Sequence, residues 1–186
     1  MKKTMKSAMK AVALMMMATV MSLGMTSCDN EDDNKSTDTA MTGAETLITI
    51  TPTTDAKDIA ETTLEYTDEN GKTQTKTAMG GLLTATVKVS KLPATIDITV
   101  KQTSLSGAPI VKDSYTLGAN LKADVTGYRR GIPSGHQKTV KINCLKKVSR
   151  NEVPDFFKAT HVAKKTLTIS TNASGSDLSA TLKDAQ

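Results

Sequence analysis

The chain has 186 residues, with 24 Lys plus Arg against 19 Asp plus Glu, two Cys, three Tyr, two Phe and no Trp. A formal charge of +5 would point to nucleic acid or an anionic surface, but the first 27 residues hold four basic side chains and no acidic ones, leaving 20 − 19 = +1 for the rest. That balance gives no reason to expect nucleic acid, so few aromatic rings argue against a stacked sugar platform, and the length suits one domain with a tail.

The chain opens with a basic leader, Lys2, Lys3, Lys6 and Lys10, followed over residues 11–25 by 15 uncharged residues dominated by Met, Ala, Val and Leu. This is the layout of an export signal. Its apolar part falls short of the roughly 20 residues that cross a bilayer as a helix, so a permanent transmembrane anchor is the weaker reading. The segment Met25-Thr26-Ser27-Cys28 resembles the lipobox of bacterial lipoproteins, with small residues before the Cys and Met25 where Leu is usual. The resemblance implies that the Cys28 thiol takes a diacylglyceryl group, and that Cys28 becomes an acylated N-terminus after cleavage. Two or three acyl chains, at about 0.8 kcal/mol per buried methylene, hold firmly where one binds reversibly. The next residues, Asp29-Asn30-Glu31-Asp32-Asp33, are similar to the acidic export signal of Bacteroidota surface lipoproteins. That likeness, confined to residues 1 to about 35, implies an outer-membrane protein facing the cell exterior, with the membrane as a partner through the lipid.

Residues 29–45 are polar, acidic and nearly free of large apolar side chains, so they cannot offset the entropy of ordering and are expected to form a flexible tether. The folded domain is accordingly placed at residues 46–186. With Cys28 claimed by lipid, Cys144 stands alone and no internal disulfide is possible.

From Thr46 onward the chain alternates apolar and polar residues and is rich in Thr, Val and Ile, which is how half-buried strands read. Asn70-Gly71 between two such runs predicts a hairpin. Leu83, Ala85, Val87 and Val89 share one face, as do Ile96, Ile98 and Val100 after a break at Leu92-Pro93. Tyr115, Leu117, Leu121, Ala123 and Val125 continue the pattern, with Gly118-Ala119-Asn120 read as a turn between two strands. Val140, Ile142 and Cys144 follow, then Leu167 and Ile169, then Leu178, Ala180 and Leu182. Turn signals every 8 to 12 residues predict an all-β fold, a two-sheet antiparallel sandwich of immunoglobulin-like or transthyretin-like kind, with a closed β-barrel as the alternative.

Only residues 149–165 suggest helix, with Ser149 or Asn151 as cap, Glu152 and Asp155 in the first turn and Lys164 and Lys165 in the last. Phe156 and Phe157, the only Phe in the protein, are placed there so that one plugs an open end of the sandwich while the other is exposed.

Residues able to do chemistry are sparse. His136 and His161 lie 25 positions apart with no acidic or Cys neighbour at ligand spacing, so neither metal nor cofactor is expected. Ser134-Gly135-His136 sets a hydroxyl near an imidazole and is the one place a small hydrolase could be sought, although no nucleophile elbow or phosphate-binding loop accompanies it. Cys144 is expected to be a small buried hydrophobe, since a reactive thiol needs a cationic, exposed setting. Charge is more informative: residues 28–69 hold 12 acidic and two basic side chains, residues 70–186 seven and 18. Within the densest basic stretch, residues 122–150, Arg129, Arg130, Lys138 and Lys141 are the candidates for binding a polyanionic glycan or an acidic protein partner. The competing reading is a solvated edge whose Lys and Arg discourage strand pairing. The expected function is that of a non-enzymatic surface lipoprotein in binding, adhesion or envelope structure, with a glycan-binding accessory protein as the alternative.

Overall fold

A computed structural model describes residues 40–159 and 161–185; the export signal, Cys28 and the acidic run Asp29 to Asp33 lie outside them. Residues that alternate in hydropathy and are rich in β-branched side chains pack well on a pleated surface, and they form nine strands among the described residues. These are β1 (Gly43–Pro52), β2 (Ala60–Thr67), β3 (Thr73–Met79), β4 (Leu83–Val89), β5 (Ala94–Ser104), β6 (Ser114–Arg129), β7 (Ile132–Ser149), β8 (Ala163–Thr171) and β9 (Leu178–Asp184). Two short helices, α1 (Thr54–Ile59) and α2 (Val153–Lys158), complete the described set together with a 3₁₀ turn at Arg150–Glu152.

All strand pairs are antiparallel and fall into two sheets, ordered β4-β1-β6-β7 and β3-β2-β5-β8-β9. Each sheet ends in two edge strands, so the fold is the predicted sandwich and not the alternative barrel. The hairpins β2–β3, β6–β7 and β8–β9 stay within a sheet, and the other connections cross between sheets. Inward residues such as Ile48, Ile50, Ile96, Ile98, Leu121 and Leu167 are fully buried between the layers. Burying one such side chain is worth about 1.5–3 kcal/mol, which fixes register because a one-residue slip would turn the whole set outward.

A second apolar cluster closes one end, built from Ala56, Ile59, Tyr115, Leu117, Val148 and Val153. Phe156 and Phe157 are both half-buried against it, ring edge to ring face at 5.5 Å. The expected plug is thus made by both rings and not by one. Between the two clusters Gln102 of β5 spans the sheets: its Oε1 accepts from the Gly118 N–H at 3.0 Å, and its Nε2 donates to the Gly118 carbonyl at 3.1 Å and to Thr62 Oγ1 at 3.2 Å.

That bridge explains one correction to the sequence reading. Gly118-Ala119-Asn120 is no turn but the middle of the 16-residue strand β6. Gly118 is needed there because φ is 112° and a Cβ would come within 2.0 Å of the Cys144 carbonyl oxygen. A second correction concerns the boundary of the domain. Strand β1 begins at Gly43, inside the expected tether, and Met41 is already buried, its N–H donating to the Gly175 carbonyl at 2.8 Å. The inward residues here are Ala44 and Thr46, too small or too polar to give a hydropathy signal. A third correction is that Lys164 and Lys165 belong to β8 and not to a helix, since α2 stops at Lys158. The cap at Ser149 is present: Glu152 accepts from its N–H at 2.8 Å and its hydroxyl at 2.7 Å.

Candidate functional site

Strand β7 carries four of the eight basic side chains of residues 122–150 and is the last strand of its sheet, hydrogen-bonded to β6 alone among the described residues. Residues opposite each other in an antiparallel pair share a face. Lys138 lies opposite buried Val125 and Lys146 opposite buried Leu117, so both occupy inner-face positions, as do Val140, Ile142 and Cys144 between them. Lys141 lies opposite Lys122 and Lys147 opposite Thr116, on the outer face. All four lysines are exposed, Lys141 and Lys147 on the outer face and Lys138 and Lys146 at the uncovered rim.

The four candidate residues are therefore not gathered on one surface. Arg129 ends β6, half-buried, with Nη2 3.4 Å from the Ser176 carbonyl oxygen and 3.4 Å from His136 Nε2. His136 Nδ1 lies 3.7 Å from Asp177 Oδ1. Arg130 is exposed at φ 49° and with Gly131 at φ 79° forms a two-residue turn in which both residues have positive φ. The sequence places both arginines in a loop just after a strand, beside Gly127 and Gly131; Arg130 is in it and Arg129 still ends β6, and the turn type is hidden because Arg stands where Asn or Gly would announce it. Ser134 Oγ donates to the Gly127 carbonyl at 2.8 Å and accepts from the His136 N–H at 3.3 Å, while the His136 ring lies against Arg129 and Asp177.

On the outer face, ion pairs tie neighbouring side chains together: Lys88 with Glu45 at 3.1 Å and Lys122 with Asp124 at 2.6 Å. Burial opposes ionisation of Asp124, but the Lys122 ammonium and the Thr139 hydroxyl outweigh it and lower its pKa.

Strands β7 and β9 run close together along one side of the sandwich, and a gap remains only beside the C-terminal half of β7, against α2 and the start of β8. A slot of about 800 Å³ runs there, lined by Cys144, Lys146, Phe156, His161, Lys165 and Asp184. Cys144 lines it, whereas Val140 and Ile142 on β7 and Ala180 and Leu182 on β9 lie outside its lining, packed against the core yet only partly covered. Lys165, opposite buried Ile98, is 8% exposed and ion-paired with Asp184 at the end of β9. Burial pushes the Cys144 thiol up, and the nearby Lys165 offsets only part of that, so the thiol is protonated and unactivated at neutral pH. Its orientation beside Val140 and Ile142 is as the alternation predicted, although it is half-buried and not enclosed.

The slot itself was not legible in the sequence. The alternating run that carries Cys144 was, but nothing local says that its end meets α2 and the start of β8. The chain matches no known family, no curated protein and no solved structure.

Proposed function

We propose that the chain is a lipid-anchored, non-enzymatic protein of the bacterial outer membrane, displayed on the cell surface, whose β-sandwich acts as a binding or envelope-structural module. The observation that carries this reading is Thr26-Ser27-Cys28 followed at once by the acidic Asp29-Asn30-Glu31-Asp32-Asp33, with Cys28 only 43 − 28 = 15 positions ahead of the first strand residue, Gly43. A cysteine at a signal boundary, next to a charged run and just ahead of a folded domain, suits acylation. The half-covered edge of the sandwich supports a binding role, since partly buried apolar side chains beside a cationic strand are a surface on which a partner gains contact.

The test is Cys28→Ala in producing cells. Incorporation of a fatty-acid analogue should disappear and the protein should move from the detergent phase to the aqueous phase; retained labelling would sink the anchor. In the same cells, replacing Glu31, Asp32 and Asp33 by Ala should reduce digestion by protease added outside, whereas unchanged digestion would remove surface display from the reading.

A further inference from the structure

We propose that β7 is a docking edge for an extended acidic segment of a partner protein, which adds a fifth strand to the four-stranded sheet and covers the half-exposed apolar residues of β7. The inference names the partner for the binding role proposed above and does not depend on the lipid.

Hydrogen bonding sets the phase. The Arg150 N–H donates to the Asp113 carbonyl at 3.0 Å, which makes Ser114 and Ser149 a pair without mutual hydrogen bonds. The register then runs unbroken from that pair to Thr126 opposite Gln137. Alternation along it leaves Gln137, Thr139, Lys141, Asn143, Leu145 and Lys147 with their N–H and C=O turned away from β6, the free half of a ladder. Beside it on the inner face, Val140, Ile142 and Cys144 are only partly covered. A strand laid along β7 would satisfy the first set and cover the second, the usual gain in strand addition.

Charge decides which strand. A second copy pairing about Ile142 would match the apolar triad to itself, but since 138 + 146 = 2 × 142 it would set Lys138 against Lys146 twice, and like charges directly opposite are unfavourable. Lys141 and Lys147 add further positive charge on the outer face. An incoming strand with apolar residues at alternate positions and Glu or Asp between and beyond them meets all four lysines. The acidic groups bordering the slot are already engaged, Glu152 by Ser149, Asp155 by Lys158 and Asp184 by Lys165.

The test uses the full chain as cells make it and a synthetic peptide of about ten residues with Val at three alternate central positions and Glu at all the others, long enough to span the apolar triad and its flanking lysines. Two control peptides exchange Glu for Lys or Val for Ser. Hydrogen exchange read by mass spectrometry should slow over residues 137–147 with the Val–Glu peptide at low salt, and with neither control. Lys141→Ser with Lys147→Ser should weaken binding about fivefold, because exposed pairs are individually modest, and Lys91→Ser at the β4–β5 turn should leave it unchanged. Asn143→Pro deletes one outward N–H without touching the β6 ladder and should weaken binding about tenfold. No slowing on β7 at low salt, equal slowing by all three peptides, or slowing confined to β3, β4 or β9 would each overturn the proposal. Loss of fatty-acid labelling bears only on Cys28, so the two readings fail separately.

Discussion

Single residues carry most where a constraint arrives from distant parts of the chain. Asn70-Gly71 was legible because everything it needs is local: Gly71 adopts φ 74°, and Asp68 Oδ1 accepts from the Asn70 and Lys72 N–H groups, both at 3.0 Å. Gly118 was not, since its demands come from Gln102 on the facing sheet and from the Cys144 carbonyl on the adjacent strand. The expected cost follows. Gly118→Ala should lower stability by about 2–4 kcal/mol, because the added methyl has nowhere to go and the backbone angle disfavours it. Gln102→Leu should cost about 1–3 kcal/mol, because the buried Gly118 N–H loses its acceptor, while the Gly118 carbonyl keeps the Thr53 N–H at 3.1 Å. Denaturant midpoints measure both. A Gln102→Leu protein with an unchanged midpoint would mean that the bridge is not what holds β6 in place.

At the scale of elements, period-two patterning was read where apolar side chains are large and missed where they are small. The strands around Leu83 to Val89 and Ile96 to Val100 declared themselves; the first turns of β1 did not, because Ala44 and Thr46 face inward there. Helix α1 escaped notice for another reason. Six residues are too few to show a period, and the helix is held by tertiary ties instead: Thr53 accepts from the Ala56 N–H at 3.1 Å, Ala56 and Ile59 are buried, and Asp55 meets Lys112 at 2.6 Å. Met41 gives the clearest check of where the tether ends. A side chain in a solvated linker can be trimmed at no cost, whereas Met41 is 5% exposed and its sulfur fills the space beside Gly127. Met41→Ala should therefore reduce stability by about 2–3 kcal/mol, the ordinary penalty for truncating a buried side chain of this size. Thermal unfolding with and without the substitution decides it, and an unshifted transition would return residues 41 and 42 to the tether.

For the whole molecule, fold class was legible but strand order was not. The first strand, β1, lies inside its sheet between β4 and β6, and the seventh lies at the rim; such placements are set by pairings between segments far apart in sequence, which alternation cannot report. The meaning of the basic stretch depends on that order. An inner-face lysine on a central strand has to be buried against a partner, as Lys165 is against Asp184, but on a rim strand with half-covered apolar neighbours lysines oppose edge-to-edge association. Lys138 and Lys146 matter most, since they occupy inner-face positions at either end of Val140, Ile142 and Cys144, where any added strand must lie against them. Replacing both by Val should extend the apolar strip from three residues to five and remove the repulsion that keeps two β7 strands apart. Sedimentation should then show greater self-association than in the unsubstituted chain, increasing with concentration. The same two-charge change on the outer face, Lys141→Ser with Lys147→Ser, should produce much less, because it leaves the inner-face charges in place. Equal behaviour of the two variants would mean that net charge alone governs association, and that the inner-face placement of Lys138 and Lys146 has no part in keeping the β7 edge open.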